Sequence, residues 1–215
     1  MRRRQLLGGT GLALATATAG CLGFVTGEEP LSFAADPAVA SEDTAGETGY
    51  ETEGPQERTE SREFTVAGQT RQVEVTNQVT TYEKTVEYPA IGEARLGVFA
   101  VISSPKVEIA GQTLNPMEDY SNKRLVELLA SQYEGISDPS RVGERTVETL
   151  DGELTFEKYE ATATVQGHDV DVFVHVGRTA HGDDFVVPVA LYPKQLADDE
   201  RPNAVALTES LEHPA

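Results

Sequence analysis

The sequence predicts an α+β domain: an antiparallel β-sheet with helices packed on one face, laid out as two sheet-then-helix blocks. Three observations predict it. Apolar residues alternate with polar ones from Phe64 to Tyr82, the two-residue period of a half-buried strand. Leu125, Leu128, Leu129 and Tyr133 instead fall at helical spacing, which makes one apolar helix face. Strand patterns then return from Arg141 to Leu191, followed by a second helical pattern. Strands followed by a helix, twice over, place helices against an antiparallel sheet.

Taken in order, Gly23 to Pro30 reads as a short tether. Residues 34–62 are rich in Glu, Gly, Ser, Thr and Pro. They read either as a brief helix capped by Ser41 and ended by Gly46 or Gly49, or as a disordered acidic linker. Phe64, Val66, Val73, Val75, Val79 and Tyr82 mark strands, with Ala67-Gly68-Gln69 as a turn. Arg95 to Ser103 is a continuous apolar run, read as a central strand. Pro105 precedes a short strand to Ile109, and Ala110-Gly111-Gln112 turns again. Pro116 to Tyr133 is the clearest helix, with Ser121 as N-cap and Gly135 where a C-cap belongs. Arg141 to Leu150 is a strand candidate, and Asp151-Gly152 is a hairpin signal. Leu154 to Gln166 and Val170 to Val176 follow, joined by Gly167-His168. Phe185 to Leu191 contains Pro188, which predicts an edge or bulged strand. Asp198 or Asp199 starts a terminal helix with Leu207 and Leu211 facing inward.

The first 21 residues read as a processing segment rather than part of the fold. Arg2, Arg3 and Arg4 precede a mildly apolar stretch from Leu6 to Ala19, shorter than the roughly 20 residues that span a membrane as a helix. Arg3-Arg4-Gln5-Leu6-Leu7 resembles a twin-arginine export motif, without the usual Ser or Thr before the pair. Thr18-Ala19-Gly20-Cys21 resembles a lipobox, with Thr in place of Leu three positions before the cysteine. Cys21 is the only cysteine, so it forms no internal disulfide and is the expected lipidation site. At about 0.8 kcal/mol per buried methylene, two chains on Cys21 give a stable tether. The expected division is residues 1–20 as signal peptide, 21–61 as lipid-anchored acidic tether, and 62–215 as the extracytoplasmic domain. The expected place is the extracellular face of the cell membrane.

The chain carries 17 Lys plus Arg against 36 Asp plus Glu, a formal charge of −19. That lies far beyond the magnitude of about 2 to 8 usual for a small soluble domain. Self-repulsion on this scale is relieved by molar salt, which points to a halophile. It also argues against nucleic acid as a partner, because phosphate binding needs clustered Lys and Arg. The chain has no Asn-x-Ser/Thr sequon.

No Gly-x-Ser-x-Gly elbow, phosphate loop or His-Glu-x-x-His occurs,, so no catalytic residue is expected. The one cluster that could carry chemistry is Asp169, Asp171, His175, His181, Asp183 and Asp184. On a strand, Asp169, Asp171 and His175 share a face. The following turn could bring His181 and Asp183 to them, and carboxylates with imidazole suit a divalent metal. The competing reading is an exposed acidic sheet face.

The leader resembles a haloarchaeal lipoprotein family, a domain of unknown function. So do Cys21-Leu22-Gly23-Phe24, Glu29-Pro30-Leu31, Thr48-Gly49-Tyr50, Thr113-Leu114-Asn115-Pro116 and His181-Gly182-Asp183-Asp184-Phe185-Val186-Val187. The late block is also similar in pattern to small lipoproteins of the PsbP type. The resemblance implies no activity or cofactor. The expectation is a non-enzymatic envelope protein binding an unknown protein or small molecule. A divalent-metal binder and a hydrolase with an unrecognised site are the alternatives.

Overall fold

The computed structural model describes residues 30–215 apart from 67–68, 90, 110–111, 114, 116–119 and 133–134. The leader, Cys21 and the tether to Glu29 lie outside the described residues. So do parts of both Ala-Gly-Gln turns, Pro116 and Tyr133.

The described residues are mostly strand (64%) with little helix (19%). The expected layer of helices over one sheet face is therefore wrong. Most of the described residues belong to one nine-stranded sheet. In chain order come β1 (Leu31–Ala34), β2 (Val39–Ala40), helix α1 (Glu42–Thr48), β3 (Glu51–Val66), β4 (Gln69–Tyr88) and β5 (Gly92–Pro105). β6 (Glu108–Ile109), β7 (Gln112–Thr113) and helix α2 (Asn122–Gln132) follow. The second half holds β8 (Ile136–Thr149), β9 (Gly152–Val165), β10 (His168–Val176), β11 (Thr179–His181), β12 (Asp184–Pro193), helix α3 (Ala197–Glu209) and β13 (Leu211–Glu212). The sheet runs β1-β4-β5-β12-β10-β9-β8, with β3 on β4 and β11 on β12.

Two compact units divide the described residues: the smaller holds residues 61–74, the larger residues 33–60 and 75–215. In the smaller, the hydroxyls of Thr65 and Thr70 meet across the hairpin at 2.9 Å. The larger holds the core.

Strand alternation divides that core into two clusters. Val170, Val172, Val174 and Val176 of β10 join Leu125 and Val126 of α2 in one. Phe173 of the same strand belongs to the other, with Phe156, Tyr192, and Ala204 and Leu207 of α3. Successive residues of a strand point to opposite faces, so α2 and α3 cannot form one layer. The described helical residues are too few to cover either face, and sheet residues make up most of both clusters.

The helix reading of residues 42–48 is the one observed. Ser41 accepts from the Thr44 amide at 3.3 Å, and Gly49 ends the helix with φ 75°, the left-handed conformation glycine tolerates. Ala38, Ala40, Ala45 and Tyr50 are buried, so this segment is part of the folded body. Ser121 accepts from the Arg124 amide at 3.2 Å, as expected of an N-cap.

Two hairpin turns sit one residue earlier than expected. Thr149 pairs with Gly152, so Leu150 and Asp151 form the loop, both with positive φ. His168 pairs with Val165, so Gln166 and Gly167 form the next, again both positive. Both are the geometry of a two-residue type I′ hairpin.

Pro188 is not on an edge strand: β12 lies between β5 and β10. The strand tolerates it because its partner changes there. β10 pairs with Val189–Pro193 and β11 with Asp184–Val186. The Pro188 carbonyl accepts from Gly177 at 3.2 Å, and in antiparallel pairing a residue's N and O point the same way. The missing N–H therefore faces the gap between two partners.

Gly177 lies in that gap. A Cβ on it would come within 2.8 Å of Leu154 Cγ and 2.9 Å of both its methyls, and Leu154 is fully buried. Gly177→Ala is expected to destabilise by about 1–3 kcal/mol through overpacking. Combined with Leu154→Val it should cost less than the sum of the two single changes. Urea unfolding of the four proteins checks this; additivity would show that the two side chains do not meet.

Candidate functional site

The six clustered residues do not come together. Asp169 and Asp171 are exposed at the start of β10, and Asp169 accepts from the Thr164 hydroxyl at 3.0 Å. Asp183 is exposed in the β11–β12 turn. His175 shares their strand face as expected, but it is buried at 3% exposure. Its Nε2 meets the Tyr192 hydroxyl at 2.8 Å, and its ring packs between Phe156 and Tyr192. Burial, then the neighbouring Lys158, Arg145 and Arg201 charges, push its pKa down to about 4. Among the described residues no three His, Asp or Glu side chains are grouped to hold a metal.

His181 and Asp184 do meet, through a residue the cluster lacked. His213 Nε2 lies 3.0 Å from Asp184 Oδ2, and His213 Nδ1 lies 3.0 Å from His181 Nδ1. Backbone pairing places all three. His181 is opposite Asp184 across the β11–β12 hairpin. Leu211 and Glu212 of β13 pair with Ala40 and Val39 of β2, which delivers His213 beside the hairpin. The Asp36 amide donates to the same Asp184 oxygen at 2.9 Å. No local spacing announces this, because 29 residues separate Asp184 from His213.

The hydrogen-bond roles follow from the groups. A carboxylate only accepts, so Asp184 Oδ2 accepts a hydrogen bond from His213 Nε2–H. In the tautomer with the proton on Nε2, His213 accepts at Nδ1 from His181 Nδ1–H, and the lone pair of His181 is left on Nε2. Asp184 and His213 are both buried, so the chain Asp184–His213–His181 is a fixed support for one half-buried imidazole.

That imidazole lines an open cleft of about 980 Å³. The β8–β9 turn contributes Glu148, Asp151 and Glu153, and the end of α3 with β13 contributes Glu209 and Glu212. His213 lies beside them. Glu209 closes a 13-residue helix that has no basic residue in its last turn. A helix C-terminus carries a partial negative charge that attracts cations, and here it is reinforced rather than neutralised. Among the described residues, Thr149 is the one hydroxyl side chain lining the cleft. It is engaged, donating to the Thr208 carbonyl at 2.6 Å.

Residues 37–212 match the model of a family described as a domain of unknown function, DUF6517. The chain belongs to that family. The DUF6517 match includes α1 and reaches the end of β13, so it takes in most of the cleft and every strand of the sheet except β1. No curated protein matches the chain. Among solved structures, the chain is similar to cyanobacterial PsbP from Synechocystis sp. PCC 6803, seen in a solution structure. The two share 12% identity at a TM-score of 0.36, over 84% of this chain and 93% of that one.

Proposed function

We propose that this DUF6517 protein is a lipid-anchored binding protein on the outer face of a halophile's membrane, recognising a cationic group on its ligand. The observation that carries the binding reading is the cleft. Five carboxylates and an unopposed helix C-terminus surround His181, whose orientation two buried residues fix. Electrostatic complementarity of this kind gives specificity and fast association. Among the described residues lining the cleft, the one hydroxyl side chain, Thr149, is engaged. The address rests on Arg3-Arg4 and Thr18 to Cys21, and the halophile on the charge of −19.

Calorimetric titration with a lysine oligopeptide tests the binding. Heat should be released, fall with added salt, and drop sharply in Glu153→Gln/Glu212→Gln; no heat from the wild type contradicts the reading. The address has its own test. Cys21→Ser should move the protein from the membrane fraction to the soluble one, and an unchanged distribution refutes lipidation at that residue.

The Asp184–His213–His181 chain favours one second reading, hydrolysis with His181 Nε2 as base toward water. Turnover of chromogenic esters by the wild type but not by His181→Gln would establish it.

A further inference from the structure

A second, smaller cavity of about 230 Å³ lies away from the acidic cleft and has the opposite charge. Adjacent strands assemble it. Arg145 of β8 lies opposite Phe156 of β9, and Lys158 of β9 lies opposite His175 of β10. Residues directly opposite across a ladder share a face, so these four side chains project together. Arg201 of α3 completes the lining. Three of only 17 basic residues in a chain with 36 acids thus converge on one hollow.

Their charges are poorly neutralised. Arg145 makes no ion pair with a described residue. Lys158 lies over the Phe173 ring, 3.3 Å from its centroid, and burial is the first cause lowering its pKa. Arg201 reaches Asp198 only at 3.4 Å, and that carboxylate is fully exposed. The one carboxylate lining the cavity, Glu144, is drawn to Arg141.

The floor carries an orphan. His175 lines the cavity, and its Nδ1 is buried without any hydrogen-bond partner. Buried polar atoms in native proteins are nearly always satisfied, and each exception calls for an explanation. In the tautomer in which Nε2 accepts from the Tyr192 hydroxyl, Nδ1 carries the ring proton and is a donor. Two arginines, a lysine and an N–H donor beside the Phe156 ring form a complementary setting for a negatively charged oxygen group.

We propose that this cavity binds a small oxyanion, either the carboxylate of a compact organic acid or inorganic phosphate. The site is independent of the acidic cleft, and neither stands or falls with the other. Titrating the full chain with benzoate and with phosphate, at constant ionic strength held by sodium chloride, tests it. At least one should bind above the chloride background. Arg145→Gln and Lys158→Gln should each weaken that binding by about tenfold, as loss of one charge-assisted bond implies. Tighter benzoate binding assigns an organic acid, and tighter phosphate binding assigns phosphate. The 15N resonance of His175 Nδ1 should shift on saturation. Arg145 is exposed, so Arg145→Gln should fold normally, and its melting curve checks that. The proposal is overturned if neither anion binds, or if binding is the same in Arg145→Gln and Lys158→Gln as in the wild type.

Discussion

Replacing Lys84 by methionine should lower stability by about 3–5 kcal/mol, the cost of leaving a buried charge unpaired. Lys84 Nζ lies 2.7 Å from Glu200 Oε1, and the Glu200 side chain is only 3% exposed. The other Glu200 oxygen accepts from the Tyr50 hydroxyl at 3.0 Å and from Asn203 Nδ2 at 3.2 Å. Burial, and then the Glu200 charge, hold the Tyr50 phenol protonated and therefore a donor. These bonds join β4, the segment after α1, and α3 through one carboxylate. The two neutral donors alone do not replace the lysine's charge. Removing the charge as well, in Lys84→Met/Glu200→Gln, should recover most of the loss, because the penalty belongs to the unpaired ion. Urea unfolding at pH 7 measures both. A loss below about 1 kcal/mol for Lys84→Met would be the response of a surface pair, and would contradict this arrangement.

Acid should expose the burial of His175. Its folded pKa, near 4, lies below the value of about 6.5 in the unfolded chain. Below pH 6.5 the unfolded chain takes up a proton that the folded chain refuses until about pH 4. Stability therefore falls as pH drops through that window, and the contribution is complete above it. At about 1.4 kcal/mol per pH decade, the loss attributable to this residue is roughly 3 kcal/mol by pH 4. His175→Gln has no such proton to refuse. Its stability should decline less than the wild type's between pH 7 and 4, whatever its stability at neutral pH. Carboxylates titrate in both proteins, so the difference between the curves isolates the histidine. Parallel curves would mean that the ring is open to protonation in the folded state.

What the sequence left illegible has physical causes. Glu51 to Glu60 carry almost no buried side chain, so they show no apolar alternation and read as linker. Backbone pairing of β3 with β4 nevertheless makes them strand, and backbone pairing leaves no mark on composition. The leftward displacement of one turn comes from Leu150, which packs partly against the core despite a φ of 50°. Tertiary contact there outweighs the Asp-Gly preference. The start of β10 was legible because Val170 and Val172 are buried while Asp169 and Asp171 are exposed, and the α2 segment because apolar residues at helical spacing write their own period into the chain. The cluster at 169–184 was legible as chemistry but not as geometry. Asp169 and Asp171 are solvated, His175 is buried, and only His181 and Asp184 belong together. Their link, His213, is supplied by a strand pairing from the far end of the chain.

Amide hydrogen exchange of the full chain, with and without a lysine oligopeptide in low salt, tests most directly where a cationic ligand sits. Protection should appear in residues 148–153 and 209–213, and be absent at 143–145 and 156–158. Protection confined to other segments, or none at saturating peptide, would contradict the assignment of the acidic cleft as the binding site.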